Sequence, residues 1–248
     1  MNGRVGFAAR VARRLAAIPG CVAVALGGSR VVGEARADSD WDFGLYYRVT
    51  LNPDDVRALG WAGTVFAPGE WGGGVMNGGA WLTAEGQRID VHYRDLDDVE
   101  HWIGEAEHGR FKVERLPFYL AGIPTYVVVG ELALSRTLEG QLPRPGFPPA
   151  LQASAPAWWR DAARLSLEYA ESAYAAHGNV LGCAGCLARA VIEAAHGRLA
   201  AQGVWVLNEK RIVERAGFGP LGAHFEHLSH TPQELRDVVA TVRAALEI

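Results

Sequence analysis

Residues 40–47, Asp-Trp-Asp-Phe-Gly-Leu-Tyr-Tyr, alternate acidic or small side chains with large apolar ones at a period of two. An extended strand sorts such a pattern onto two faces, and a sheet with one covered face makes use of it. Trp41, Phe43, Leu45 and Tyr47 fall on the side that anchors the strand, and Asp40, Asp42, Gly44 and Tyr46 fall on the other. Two ionised carboxylates about 4 Å apart repel by roughly 4 kcal/mol at an effective dielectric near 20. A proton, a cationic side chain or a metal therefore has to relieve Asp40 and Asp42. Hard divalent cations such as Mg2+ take oxygen ligands of this kind.

The flanking text supplies neighbours for that strand. Residues 21–28, Cys-Val-Ala-Val-Ala-Leu-Gly-Gly, read as a buried strand after an amphipathic helix over about 4–17. Asn52 and Pro53 suit the N-cap and first position of a short helix. Residues 79–84 and 87–95 flank Glu85-Gly86, the pattern of a hairpin. In the second of these, Ile89, Val91 and Tyr93 share one face and Asp90 and His92 the other. If this strand lies beside 41–47, three carboxylates converge. Gly27, Gly28 and Ser29 stand where the first strand ends and a helix could begin with residues 29–35. Free backbone N–H groups and a serine hydroxyl there bind an anion, and glycine lets a phosphate approach the backbone.

Between Gln141 and Ala150 four prolines and a glycine favour an extended connection. Beyond it the text turns alanine-rich and helical, with Thr231 and Glu234 forming a capping box around Pro232. The expected fold class is α+β: a small mixed sheet with flanking helices over 1–142, then an all-α bundle over 143–248. With 24 basic and 28 acidic residues the chain carries a net charge of −4, which argues against a surface for long polyanions, so no nucleic acid partner is expected. The sequence contains no window that approaches a membrane span and no secretory h-region near its start, and its three cysteines make no disulfide framework. A cytoplasmic protein is expected.

A strand, Gly-Gly-Ser, ten further residues, Asp-Trp-Asp in a strand and a later strand aspartate together resemble the signature of the DNA polymerase β-type nucleotidyltransferase superfamily. The small bacterial aminoglycoside and lincosamide nucleotidyltransferases with a C-terminal helical domain are the members most similar in layout. The motif spans roughly 22–94, and the helical half agrees in character only. The resemblance implies that Gly28 and Ser29 hold a nucleoside triphosphate, ATP or another NTP, and that Asp40 and Asp42 bind two Mg2+ ions. It implies that Asp90 completes the metal site, and in some relatives the third acid also serves as general base for a small-molecule hydroxyl. A common family pattern has arginine where this chain has Val32, so the cation that holds the triphosphate is open. Lys210 of the helical half is the candidate; an exposed helix start capped by Asn208 is its plain alternative. Transfer to a protein partner, as in toxin–antitoxin systems, and a nucleotide-binding module without catalysis are the rival functions. A homodimer that completes the cleft is also open.

Other features have plainer readings. Six acids in 95–107 form either an acidic wall for a polycationic acceptor or the solvated face of a helix capped by Asp95. Cys183 and Cys186 are read as small core residues, His224, His227 and His230 as surface or packing groups, and Trp158 and Trp159 as bundle packing, with acceptor stacking as their alternative. The glycine-rich 71–74 is read as a flexible loop.

Overall fold

The computed structural model describes residues 6–33, 35–36, 38–226 and 228–248. In chain order its elements are α1 (Phe7–Ala16), β1 (Cys21–Leu26), α2 (Ser29–Val32), β2 (Trp41–Tyr47), α3 (Pro53–Arg57), β3 (Ala62–Val65), β4 (Gly79–Ala84) and β5 (Gln87–Asp95). Then follow α4 (Leu96–Glu107), β6 (Val113–Glu114), β7 (Ile123–Pro124), α5 (Val127–Leu134), β8 (Arg136–Gly140), α6 (Pro149–Tyr169), α7 (Val180–Ala201), α8 (Ile212–Arg215) and α9 (Pro232–Leu246). They group into two units, one made by residues up to Glu105 with Thr125–Gly146, the other by Ala106–Pro124 with Phe147–Ile248. Residues 106–124, which the sequence reading keeps with the first half, thus pack with the second.

The first unit is a six-stranded mixed sheet in the order β3-β4-β5-β2-β1-β8. Only the central pair β2–β5 is parallel; every other neighbour is antiparallel. The period-two pattern sets its faces as expected. Phe43, Leu45 and Tyr47 of β2 and Ile89, Val91 and Tyr93 of β5 are buried in one core with Ala8, Val11, Ala12 and Leu15 of α1. The helix supplies its apolar stripe at spacings of three and four, which is one face of an α-helix. Asn52 Oδ1 accepts the Asp54 N–H at 3.0 Å, with Pro53 at the first helical position of α3. Glu85 (φ 50°) and Gly86 (φ 76°) make the β4–β5 turn with the two positive φ angles that a type I′ hairpin demands. The helix expected from Ser29 is a single turn, ended by Gly33 in the left-handed conformation (φ 78°). Asp95 Oδ1 accepts the Asp97 N–H, so Asp95 does cap α4, and Arg48 pairs with Asp97 and Glu100 on its acidic face.

The second unit is built on α6 and α7, with Leu167, Leu187, Val191, Leu235, Val239 and Val242 in its core. Against the expectation that no window approaches a membrane span, α7 is, among the described residues, the one helix long and apolar enough to cross a membrane, and half of its most apolar stretch is buried in the protein. Its Glu193 is buried and accepts from Ser166 Oγ and Arg189 Nε, each at 2.7 Å. Cys183 is buried and Cys186 half-buried, both as free thiols. Trp159 is fully buried and stacks on His196 at 4.4 Å, whereas Trp158 keeps 41% of its surface exposed. Thr231 does sit at the N-cap of α9, but its side chain makes no cap bond. Ser229 Oγ takes the Thr231 N–H at 3.0 Å and lies 3.1 Å from its hydroxyl, a local competitor within two residues. Asn208 is likewise not a helix cap: α8 starts at Ile212, and Asn208 Oδ1 accepts the Lys210 N–H in a turn. His227 lies outside the described residues.

Candidate functional site

The parallel pairing of β2 with β5 sets Asp42 directly opposite Asp90. Register partners in a sheet project to the same face, one strand spacing of about 4.8 Å apart. Two residues upstream, Arg88 Nε stands 2.8 Å from Asp40 Oδ1. That oxygen is buried and, among the described residues, has this ion pair in place of a well-aligned hydrogen bond. The sheet therefore brings Asp42 and Asp90 together and gives Asp40 a guanidinium as its neighbour.

The end of β1 lies against the same carboxylate. The Gly27 N–H donates to the Asp42 carbonyl at 2.8 Å. Gly28 follows with φ 65° and ψ −162°, a region of backbone space essentially confined to glycine. A Cβ on Gly28 would fall 1.7 Å from Asp42 Oδ2. The missing side chain is what lets Asp42 and the Ser29 turn share this corner.

Arg30 braces the segment between Ser29 and β2. Its Nε donates to the Asp40 carbonyl at 3.1 Å, a second guanidinium N–H reaches the Ser39 carbonyl, and the group lies 4.0 Å over the Trp41 ring. Arg88 ties the same loop from β5 by donating to the Asp38 carbonyl at 3.0 Å.

Farther along this face α5 closes the sheet. Arg94, 2% exposed, donates to both oxygens of Glu131 at 2.7 and 2.8 Å. Burial pushes the Glu131 carboxyl up, but the Arg94 charge and hydrogen bonds outweigh it and hold the group below its ordinary range. His92 is pushed down to about 4, chiefly by burial and then by the Arg94 charge, with Glu131 opposing. One end of the face is thus covered by an ion-paired lid, and the aspartates occupy the other.

The donor set has the chemistry that Mg2+ takes, oxygens only, with Asp42 and Asp90 at register-paired positions and Asp40 ion-paired to Arg88. Among the described residues no group of three or more His, Cys, Asp and Glu side chains is gathered to hold a metal ion. Arg88 is the cation that faces Asp40. Lys210 lies in the second unit as an exposed side chain.

Three contributions escape the sequence reading. Arg88 is two residues before Asp90 and shares its face by the same period that exposes the aspartate, so the signal was available. Arg30 is next to the serine but its partners are carbonyls of a loop, which no spacing predicts. Trp81 lies opposite Asp90 on β4, and Phe66 and Trp71 pack against it. Its place becomes visible only with the register.

No protein-family model matches the chain. No curated protein matches it either. Among solved structures it is similar to a nucleotidyltransferase-like protein from Exiguobacterium sibiricum, at 9% identity and a TM-score of 0.47, over 96% of this chain and 72% of that one.

Proposed function

We propose that this chain is a Mg2+-dependent nucleotidyltransferase that moves a nucleoside monophosphate, AMP from ATP, to the hydroxyl of a small molecule such as an antibiotic or metabolite, releasing pyrophosphate. The observation that carries the reading is the corner where Asp42 faces Asp90 while the side-chain-free Gly28 packs against the Asp42 carboxylate. A triphosphate needs close backbone approach next to carboxylates that hold its counter-ions, and this corner supplies both kinds of group.

In this reading Gly28 and the Ser29 hydroxyl hold the triphosphate, and Asp40, Asp42 and Asp90 would hold Mg2+. When bound, Mg2+ supplies positive charge to the phosphoryl oxygens and to the entering oxygen. Asp90 accepts the proton of the acceptor hydroxyl. The new bond joins that oxygen to the α-phosphorus, and the bond to the pyrophosphate oxygen breaks. Arg30 keeps the loop before β2 in place so that Asp40 and Asp42 meet the phosphates in one arrangement. Lys210 is the proposed cation from the helical unit. The proposed setting is the cytoplasm, since three cysteines, two of them three residues apart, make no disulfide framework for a chain of this size.

Calorimetric titration with ATP, with and without Mg2+, tests the first half. Binding that needs Mg2+ and is lost in Asp42→Asn, with the melting temperature held within about 2 °C, is expected; metal-independent binding or none would refute it. A mass screen of small hydroxyl compounds with each of the four NTPs tests the second half, and modification of a protein alone would give the toxin-like rival.

A further inference from the structure

The sheet orders its functional groups. From the Gly28 turn at the end of β1, the next strand carries Asp42, the one after carries Asp90, and the one after that carries Trp81, the register partner of Asp90. All three side chains project to one face. The phosphate corner is on one side of Asp90, and Trp81 is on the other.

Trp81 is half exposed, at 50%. Its indole is fixed in place by aromatic neighbours: Trp71 stacks at 5.7 Å with 28° between planes, and Phe66 meets it edge-on at 4.8 Å. Gly79, two residues earlier on β4, makes room for this, since a Cβ there would lie 2.4 Å from the Trp71 ring. Two polar atoms in the group, Trp71 Nε1 and His92 Nδ1, are buried with no hydrogen-bond partner among the described residues. A rigid indole left open beside a carboxylate is a surface that takes a flat ring face, and the neighbouring Asp90 takes a hydroxyl on its rim.

We infer that Trp81, held by Phe66 and Trp71, is the platform on which the acceptor lies, and that the acceptor is a hydroxyl-bearing ring compound. This rests on the nucleotidyl-transfer reading above. Such a ring, stacked on Trp81, has one hydroxyl within reach of Asp90 on the side that faces the phosphate corner. Trp81 is a positioning residue here: it holds the ring, and the proton goes to Asp90.

Saturation-transfer NMR detects weak ligands and needs no turnover. The two probes are methyl α-glucopyranoside, for a pyranose face, and 4-hydroxybenzyl alcohol, for an aromatic face; the stronger one identifies the kind of ring. With the wild-type protein, ring-proton signals are expected from at least one probe. They should fall at least fivefold in Trp81→Leu, which keeps apolar bulk, and persist in Trp81→Phe, which keeps a ring face. Both variants should bind Mg-ATP as the wild type does, and any acceptor found by the mass screen should show a raised KM with little change in kcat in Trp81→Leu, largely restored in Trp81→Phe. Equal signals in Trp81→Leu, or none from either probe in the wild type, overturn the platform while leaving nucleotidyl transfer intact. Saturation of the ATP adenine that depends on Trp81 also overturns it, because the indole would then serve the donor. Absence of Mg-ATP binding to the wild type tells against the transfer reading alone.

Discussion

Replacing Gly28 by alanine separates two costs that the structure puts at one residue. The first is backbone strain: φ 65° and ψ −162° lie in a region that costs a residue with a side chain about 1–3 kcal/mol. The second is steric. The new Cβ would be 1.7 Å from Asp42 Oδ2, and ordinary Cβ contacts do not come under 3.0 Å. The carboxylate must therefore leave its place, while the Gly27 N–H to Asp42 carbonyl bond at 2.8 Å keeps the backbones of β1 and β2 from parting. Couplings of residues in contact run to about 0.5–3 kcal/mol. A double-mutant cycle of Gly28→Ala with Asp42→Ala, followed by urea unfolding, measures the second cost alone. Gly28→Ala should destabilise by roughly 2–5 kcal/mol in the wild type and by only the backbone share, about 1–3 kcal/mol, once Asp42 is truncated. Equal losses in both backgrounds would show that the glycine does not make room for Asp42, and the account of the phosphate corner would fail with it.

Removing the charge of Glu131 strands a buried guanidinium: Glu131→Gln should cost about 3 kcal/mol, the low end for a buried pair because Glu131 keeps 26% of its side chain exposed. A melting temperature within error of the wild type would refute this. Because Arg94 holds Glu131 below its ordinary range, the pair contributes stability that is full above that range and is lost as pH falls through the folded value. Stability below about pH 4 should accordingly flatten in Glu131→Gln. His92 folds with its imidazole neutral, its pKa pushed down to about 4 from an ordinary 6.5, so its contribution is present above pH 6.5 and is lost as pH falls toward 4. His92→Phe should remove that slope between pH 6.5 and 4 in a chemical-denaturation series; parallel profiles for the two proteins would contradict it.

Much of the first unit is legible because its strands alternate. Residues 40–47 and 87–95 each separate an apolar from an acidic row, and Glu85-Gly86 and Asn52-Pro53 carry turn and cap chemistry that acts within a few residues. The pairing of β2 with β5 is not local, so alternation could pose the meeting of Asp42 with Asp90 only as a condition. The edge strand β8 and the lid helix α5 go unread for another reason. Val127–Leu134 is apolar except for Glu131, with no period to tell a helix from a buried strand. Asp40 illustrates a third kind of limit. Its face follows from the pattern, but its partner, Arg88, is settled by which cation the folded sheet places nearest. The Thr231 side chain makes no cap bond beside its competitor Ser229, and Asn208 stands four residues before the start of α8, neither of which a motif records.

The parallel β2–β5 ladder has one further consequence. Asp42 and Asp90 are forty-eight residues apart, and the chain between them makes α3, β3 and β4 before it returns. A slip of one residue would send Asp90 into the core and put Ile89 in its place. The burial of Ile89, Val91 and Tyr93 is thus also the gauge that indexes the acid pair. Loops in the intervening segment can lengthen or shorten through evolution without moving the carboxylates, whereas an insertion or deletion of a single residue inside either strand would erase the site and expose the core together.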